Sequence, residues 1–155
     1  MDNNDIMRRI RYTFDLSDSK MIEIFSLADY NVTRTQISDW LKKEDDPAQL
    51  NLYDDQLAIF LNGFIIDKRG KKEGPQPKPE KHLNNNIILR KLKIALNLKD
   101  DDMLEILMLA GLRISKHELS AFFRNPSQEQ YRLCQDQILR NFLFGMQKKY
   151  RIERT

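Results

Sequence analysis

The sequence predicts an all-α protein built from two homologous four-helix modules, and three observations carry that expectation. Residues 3–70 align with 85–152 at a constant offset of 82 without a gap, and 18 of the 68 pairs are identical. The pairs include Asn3/Asn85, Asn4/Asn86, Asp18/Asp100, Met21/Met103, Glu23/Glu105, Ala28/Ala110, Phe60/Phe142 and Gly63/Gly145. In both copies the apolar residues recur at the three-to-four spacing of a buried helix face. No stretch keeps the period-2 alternation of a strand. A repeat of this length must be recognised first, because it decides the architecture of everything else. The chain divides accordingly into repeat 1 (3–70), a linker (71–84) and repeat 2 (85–152), and the repeats are expected to pack about a pseudo-twofold axis.

The first helix of each copy is expected to open at the asparagines, whose side chains accept from first-turn amides. Ile6, Ile10 and Phe14, like Ile88, Leu92 and Leu96, then fall at i, i+4 and i+8 on one face. Arg8, Arg9 and Arg11, with Arg90, Lys91 and Lys93, are assigned to a solvated face, with nucleic-acid contact as the lesser reading. Asp18 and Asp100 are read as caps of the second helix, whose inner stripe is Met21, Ile24, Phe25 and Ala28, or Met103, Ile106, Leu107 and Ala110. The run Asp100-Asp101-Asp102 suits the positive end of that helix's dipole, so it calls for no metal. Thr33–Gln36 and Ser115–Glu118 are capping boxes opening the third helix, with Ile37, Trp40 and Leu41, or Leu119, Phe122 and Phe123, turned inward. These helices end before Asp46-Pro47 and Asn125-Pro126. The fourth helix is expected over Asp54–Arg69 in the first copy and over a longer Ser127–Arg151 in the second. Gly63 and Gly145 within them predict a close helix crossing. Prolines 75, 77 and 79 make the linker an extended, semi-rigid spacer.

These residues also carry a likeness. The run from Phe60 to Pro79, the segment Leu83-Asn-Asn-Asn-Ile-Ile-Leu89 and the segment Ile114 to Phe123 closely resemble the YehS-like family of uncharacterised bacterial proteins. The resemblance covers essentially the whole chain. It implies a bacterial cytoplasmic protein with two copies of a small helical domain, and it supplies no catalytic residue or cofactor.

Composition bounds the function further. The chain has 155 residues and a net charge of +3, but the charge is divided unequally. Repeat 1 carries 9 basic against 12 acidic residues, the linker 4 against 2, and repeat 2 carries 12 against 7. No apolar run approaches the ~20 residues of a membrane span, and no basic, apolar-cored signal peptide opens the chain. The single cysteine, Cys134, permits no internal disulfide, and its expected place is a buried helix face.

No catalytic constellation, cofactor motif or metal-ligand spacing is present. His82 and His117 lack sequence partners of the kind a general base needs, so the protein is expected not to be an enzyme and to need no cofactor. The expectation is a macromolecular binding module, with a protein partner or self-association foremost. Tyr30, Tyr53, Leu112 and Phe144 are the apolar residues left over for such a contact. The alternative is nucleic-acid binding through helices two and three of repeat 2, joined by Gly111–Ser115 and patterned like a helix-turn-helix. The candidate contact residues are Lys116, His117, Ser120 and Arg124 on or after that third helix, with Lys68, Arg69, Lys71 and Lys72 at the helix-to-linker junction. Against it stand a connection longer than the three or four residues usual in that motif and the acidic first copy.

Overall fold

A computed structural model describes residues 1–151; Ile152, the last position assigned to repeat 2, lies outside them. Eight helices are formed: α1 (Asn3–Thr13), α2 (Asp18–Leu27), α3 (Arg34–Leu41), α4 (Asp54–Arg69), α5 (Asn85–Ala95), α6 (Asp100–Leu109), α7 (Lys116–Ala121) and α8 (Asp136–Tyr150). No strand occurs among the described residues. The α4 bounds match the expectation, and both predicted capping boxes form. The Thr33 hydroxyl accepts from Gln36 N at 3.1 Å while Gln36 accepts from Thr33 N at 2.8 Å. Ser115 and Glu118 do the same at 3.0 and 3.1 Å.

An asparagine, Asn84, caps α5 as expected, its Oδ1 accepting from Ile87 N at 2.9 Å, but the starts of α1, α2 and α6 need correction. Ser17 and Lys99 occupy the cap positions of α2 and α6, so Asp18 and Asp100 are their first helical residues. Ser17 Oγ accepts from Lys20 N, and Asp102 reaches back to accept from Lys99 N at 2.8 Å. Asp2 and Asn84 cap α1 and α5. The repeated pairs Asn3-Asn4 and Asn85-Asn86 are the first two helical residues after these caps and do something else. Asn4 Nδ2 donates to Trp40 O and Leu50 O, and its Oδ1 accepts from Leu52 N. Asn86 Nδ2 donates to Phe122 O and Arg132 O, and its Oδ1 accepts from Cys134 N. These buried amides tie the loop before the last helix to the first helix, identically in both repeats.

That tie explains why α8 begins at Asp136 and not at Ser127. An extended loop is needed to bring Arg132 O and Cys134 N to Asn86, and the Asn125 carboxamide holds Ser127 N in a turn at its start. Cys134 therefore lies buried in the loop, not on a helix face.

Within each repeat the last helix crosses the second at a glycine. A Cβ built on Gly63 would lie 2.0 Å from Ile24 O, and one on Gly145 2.0 Å from Ile106 O. The close crossing expected at these glycines is present twice. The first two turns between helices also repeat: Asp15 and Asn97 both take positive φ (51° and 53°), as do Asp29 (60°) and Gly111 (80°). Asp, Asn and Gly are the residues that enter this region at least cost.

The repeats are interlocked. α4 packs along α5, and α8 packs along α1. Exchanging the repeats maps one seam onto the other, which is the self-complementary arrangement of a twofold. One continuous apolar cluster runs through both copies, from Ile6, Phe25 and Trp40 to Leu107, Phe142 and Met146.

Each seam is a parallel helix pair. Leu83 N donates to Asp54 Oδ2 and Lys91 Nζ to Asn62 Oδ1, both pairs 29 residues apart in sequence. Parallel pairing obliges the chain to travel back along α4 before α5 can begin. The proline-rich linker makes that journey, and Glu80 within it lies 3.0 Å from Lys91. Lys91 is thus buried at the seam, not part of the solvated face assigned to it.

Candidate functional site

The two seams share a plan and differ in their filling. At the end of the α4–α5 seam, the last residue of α4, Arg69, meets Arg90, Lys93 and Ile94 of α5 around a shallow cleft of about 370 Å³. Asn97 and Leu98, beyond the α5 terminus, and Phe123, two residues past α7, complete its wall. Arg90 Nη2 donates to Phe123 O at 3.0 Å. Lys93 Nζ stands 4.7 Å from the Phe123 ring centroid and 2.7 Å from Asp100 Oδ1. Arg69 is exposed, and no hydrogen bond or ion pair among the described residues engages its guanidinium. Ile94 is 44% exposed. The cleft therefore offers three cations, one of them uncommitted, beside an apolar wall.

At the equivalent end of the α8–α1 seam, Arg151 takes the place of Arg69 and Tyr12 that of Ile94. The Arg151 guanidinium lies 3.6 Å from the Tyr12 ring centroid and donates to the Tyr12 carbonyl. Arg8 and Arg11, the counterparts of Arg90 and Lys93, are engaged as well. Arg8 donates to Leu41 O and Lys42 O, and Arg11 pairs with Asp18 at 2.9 Å.

The anticipated contact residues are dispersed around this site. Lys116 and His117 are exposed on the first turn of α7, with Lys116 3.6 Å from Asp101. The Ser120 hydroxyl donates to His117 O, and Arg124 is half-buried with its Nε shielded from solvent. Lys68 turns away from Arg69 to lie over the Phe14 ring at 4.9 Å and the Phe64 ring at 5.6 Å. Lys71 and Lys72 are exposed on the linker, and Lys72 O accepts from Gln76. Only Arg69 of this set lines the cleft.

Ile94, Asn97 and Phe123 were not anticipated as contacts, and Arg90 and Lys93 had contact only as the lesser reading of a solvated face. The signal that could have found them is the contrast between copies: Arg69 faces Ile94 where Arg151 faces Tyr12.

Other chemistry is sparse. Among the described residues no three metal-ligating side chains converge, and no hydrogen bond or ion pair joins His117 to Glu105. Burial pushes the Cys134 thiol up to about 12, with Asp136 adding to the shift, so it is protonated at neutral pH and a poor nucleophile. A second cleft, of about 350 Å³ between the Asn84–Asn86 turn and the Leu133–Asp136 loop, is lined by amides already engaged in holding that loop. Tyr53 and Phe144 are exposed as expected, whereas Tyr30 packs on Phe25, ring centroids 5.9 Å apart. No described helix is long and apolar enough to cross a membrane.

With the two seams and the repeated geometry in view, comparison with known proteins decides the relationship. The family described as "Protein of unknown function (DUF1456)" matches residues 3–70 and again 85–151. The chain belongs to the DUF1456 family. The two matched segments of this DUF1456 chain are the ones that repeat the α1–α4 plan in α5–α8. The chain is also similar to "Uncharacterized protein YehS" of Escherichia coli (strain K12), 41% identical over 153 residues, covering 98% of each chain. No solved structure matches.

Proposed function

We propose that this DUF1456 protein is a cytoplasmic binding module and not an enzyme, and that the basic side of repeat 2 engages an anionic macromolecule. The observation that carries this reading is the cleft where Arg69, Arg90 and Lys93 meet at an open seam. An exposed guanidinium with no carboxylate partner among the described residues is available to an incoming anion, and phosphate or carboxylate groups suit its fork best. The charge division supports the reading, since repeat 2 and the linker hold the whole positive excess. Lys116 and His117 extend the basic surface along α7, about 10 Å from Phe123 at 1.5 Å per residue.

The mode favoured is charge contact on a surface and not base reading by an inserted helix. α7 spans six residues, about 9 Å, and a six-residue connection (110–115) separates it from α6. A helix that short presents one or two turns to a groove, where recognition helices present several contacts in register.

One observation favours a protein partner as a second reading. Met108 (46% exposed) and Leu109 (45%) stand together at the end of α6, close in sequence to the half-buried Leu112 and Ile114. Mobility-shift assays with single- and double-stranded DNA and RNA at low salt test the primary reading. Binding should weaken steeply as salt rises, and Lys116→Ala with His117→Ala should reduce the salt slope. If no polyanion binds at low salt while a pull-down retains a stoichiometric, non-acidic protein, the second reading replaces the first.

A further inference from the structure

We infer that the α4–α5 seam cleft is a site for one nucleotide unit, phosphate against Arg69, Arg90 and Lys93 and base against Ile94 and Phe123, and that the α8–α1 seam is the same site kept filled by the protein's own Arg151 and Tyr12. This inference rests on the reading of the basic side as the binding surface and names what occupies it.

The argument begins from the duplication. Every element that frames the cleft has a counterpart at the other seam: Arg69 and Arg151, Arg90 and Arg8, Lys93 and Arg11, Ile94 and Tyr12. At the α8–α1 seam a planar cation lies on an aromatic ring, and the ring's backbone carbonyl accepts from it. That is the contact a guanidinium makes with a stacked ring and an adjacent acceptor. At the other seam the Phe123 ring and carbonyl are taken by Lys93 and Arg90, while Arg69 has neither a stacked ring nor an acceptor among the described residues. Its missing complement is therefore defined by the filled copy: a flat ring with an anionic or carbonyl oxygen beside it.

A nucleotide supplies both. Its phosphate suits the three cations, of which Lys93 shares its charge with Asp100 and Arg69 with no group among the described residues. Its base suits the wall made by Ile94 and the Phe123 ring. Basic grooves with interleaved aromatic and apolar side chains are the recurrent solution for unpaired nucleotides. The volume, about 370 Å³, sits near the lower end of the roughly 300–1,000 Å³ of ligand sites, enough for a single unit. A stacked duplex would keep its bases from this wall. The favoured source is a single strand, and a free nucleoside monophosphate has the same chemistry.

The duplication also supplies the variants. Ile94→Tyr gives Arg69 the ring that Arg151 already has, which closes the open site. Tyr12→Ile removes the ring at the other seam, which opens a second one. Both positions are exposed, Ile94 at 44% and Tyr12 at 46%, and thermal melts establish that each variant is folded before binding is compared.

The probes are a fluorescein-labelled thymidine strand of about ten nucleotides, the same sequence as duplex, adenosine monophosphate and inorganic phosphate, each titrated by anisotropy or competition. The wild type is expected to bind the strand with one site per chain and to prefer it to the duplex. Arg69→Ala and Ile94→Tyr should each weaken it at least about fivefold, the loss of one phosphate or stacking contact. Tyr12→Ile should raise the stoichiometry to two. If adenosine monophosphate competes as well as the strand per nucleotide, the site stands and its source is the free nucleotide. Strand binding that Arg69→Ala and Ile94→Tyr leave unchanged overturns the inference while sparing the wider reading of the basic side. Equal competition by inorganic phosphate, or preference for the duplex, overturns the assignment of the base. No binding by any probe at low salt overturns both.

Discussion

Asn4 and Asn86 are 3% and 4% exposed, and each makes three hydrogen bonds to the backbone of a loop 36 to 48 residues away. Truncating either to alanine would leave one buried amide and carbonyl groups unpaired, at about 1–3 kcal/mol for each unmet group. Asn86→Ala is expected to lower stability by about 3 kcal/mol in urea titration, and Asn4→Ala by a similar amount; a change below about 1 kcal/mol would mean the loop does not depend on the amide. The asparagines were visible in the sequence as repeated residues, and their role was misjudged for a physical reason. Capping and long-range backbone binding both select a short carboxamide, and only the fold distinguishes them. A titrating residue illustrates the same point at the surface. The Asn85 amide, and next the Met1 ammonium, hold the Asp136 carboxyl below its ordinary 3.8. Its folded pKa lies below the unfolded one, so its contribution is present above the ordinary value and is lost as pH falls through the folded value. Asp136→Asn is expected to flatten that part of the acid limb of a stability–pH profile, slightly, because the group is exposed. An unchanged acid limb would remove the Asn85–Asp136 contact from the account.

At the scale of elements, the crossings and the linker matter most. Alanine ordinarily stabilises a helix interior by about 1 kcal/mol relative to glycine. At Gly63 and Gly145 the sign reverses, because the added methyl would meet the Ile24 or Ile106 carbonyl oxygen at 2.0 Å. Gly63→Ala and Gly145→Ala are each expected to destabilise by about 1–3 kcal/mol or more, and a rise in melting temperature for either would contradict the crossing. The linker has a geometric duty. α4 has 16 residues, about 24 Å, and the polypeptide must return along it. At about 3.1 Å per residue the linker reaches roughly 40 Å, and with residues 72–79 deleted it would reach roughly 19 Å. That deletion is expected to undo the intramolecular seam and yield a domain-swapped dimer in sizing chromatography with light scattering. A compact monomer would contradict the parallel pairing. The glycine crossings were legible from sequence, because a glycine inside a helix has one dominant local cause. The start of α8 was not, since residues 127–135 have helix-compatible composition and are drawn out by distant bonds to Asn85, Asn86 and Ala121 together with the Asn125 turn.

The whole molecule joins two copies of one unit along two seams, α4 with α5 and α8 with α1. A fragment of residues 85–155 would expose the faces of α5 and α8 that α4 and α1 cover. It is expected to be either unfolded or a symmetric dimer, as judged by circular dichroism and light scattering; a stable folded monomer would contradict the shared core. The duplication made the fold readable, since each half confirms the helix assignments of the other. It made the candidate site hard to see for the same reason. What is distinctive is a difference between seams, and a seam between residues 69 and 94 has no local signature in the chain. The central claim is that the basic side of repeat 2, centred on the open seam, receives an anionic macromolecule. Mapping backbone-amide NMR shifts while a single strand of about ten nucleotides is titrated in at low salt tests it most directly. The account predicts shifts concentrated at Arg69, at Arg90 to Leu98 and from Lys116 to Phe123. Shifts confined to the α2–α3 side of repeat 1, or no shifts at all, would contradict it.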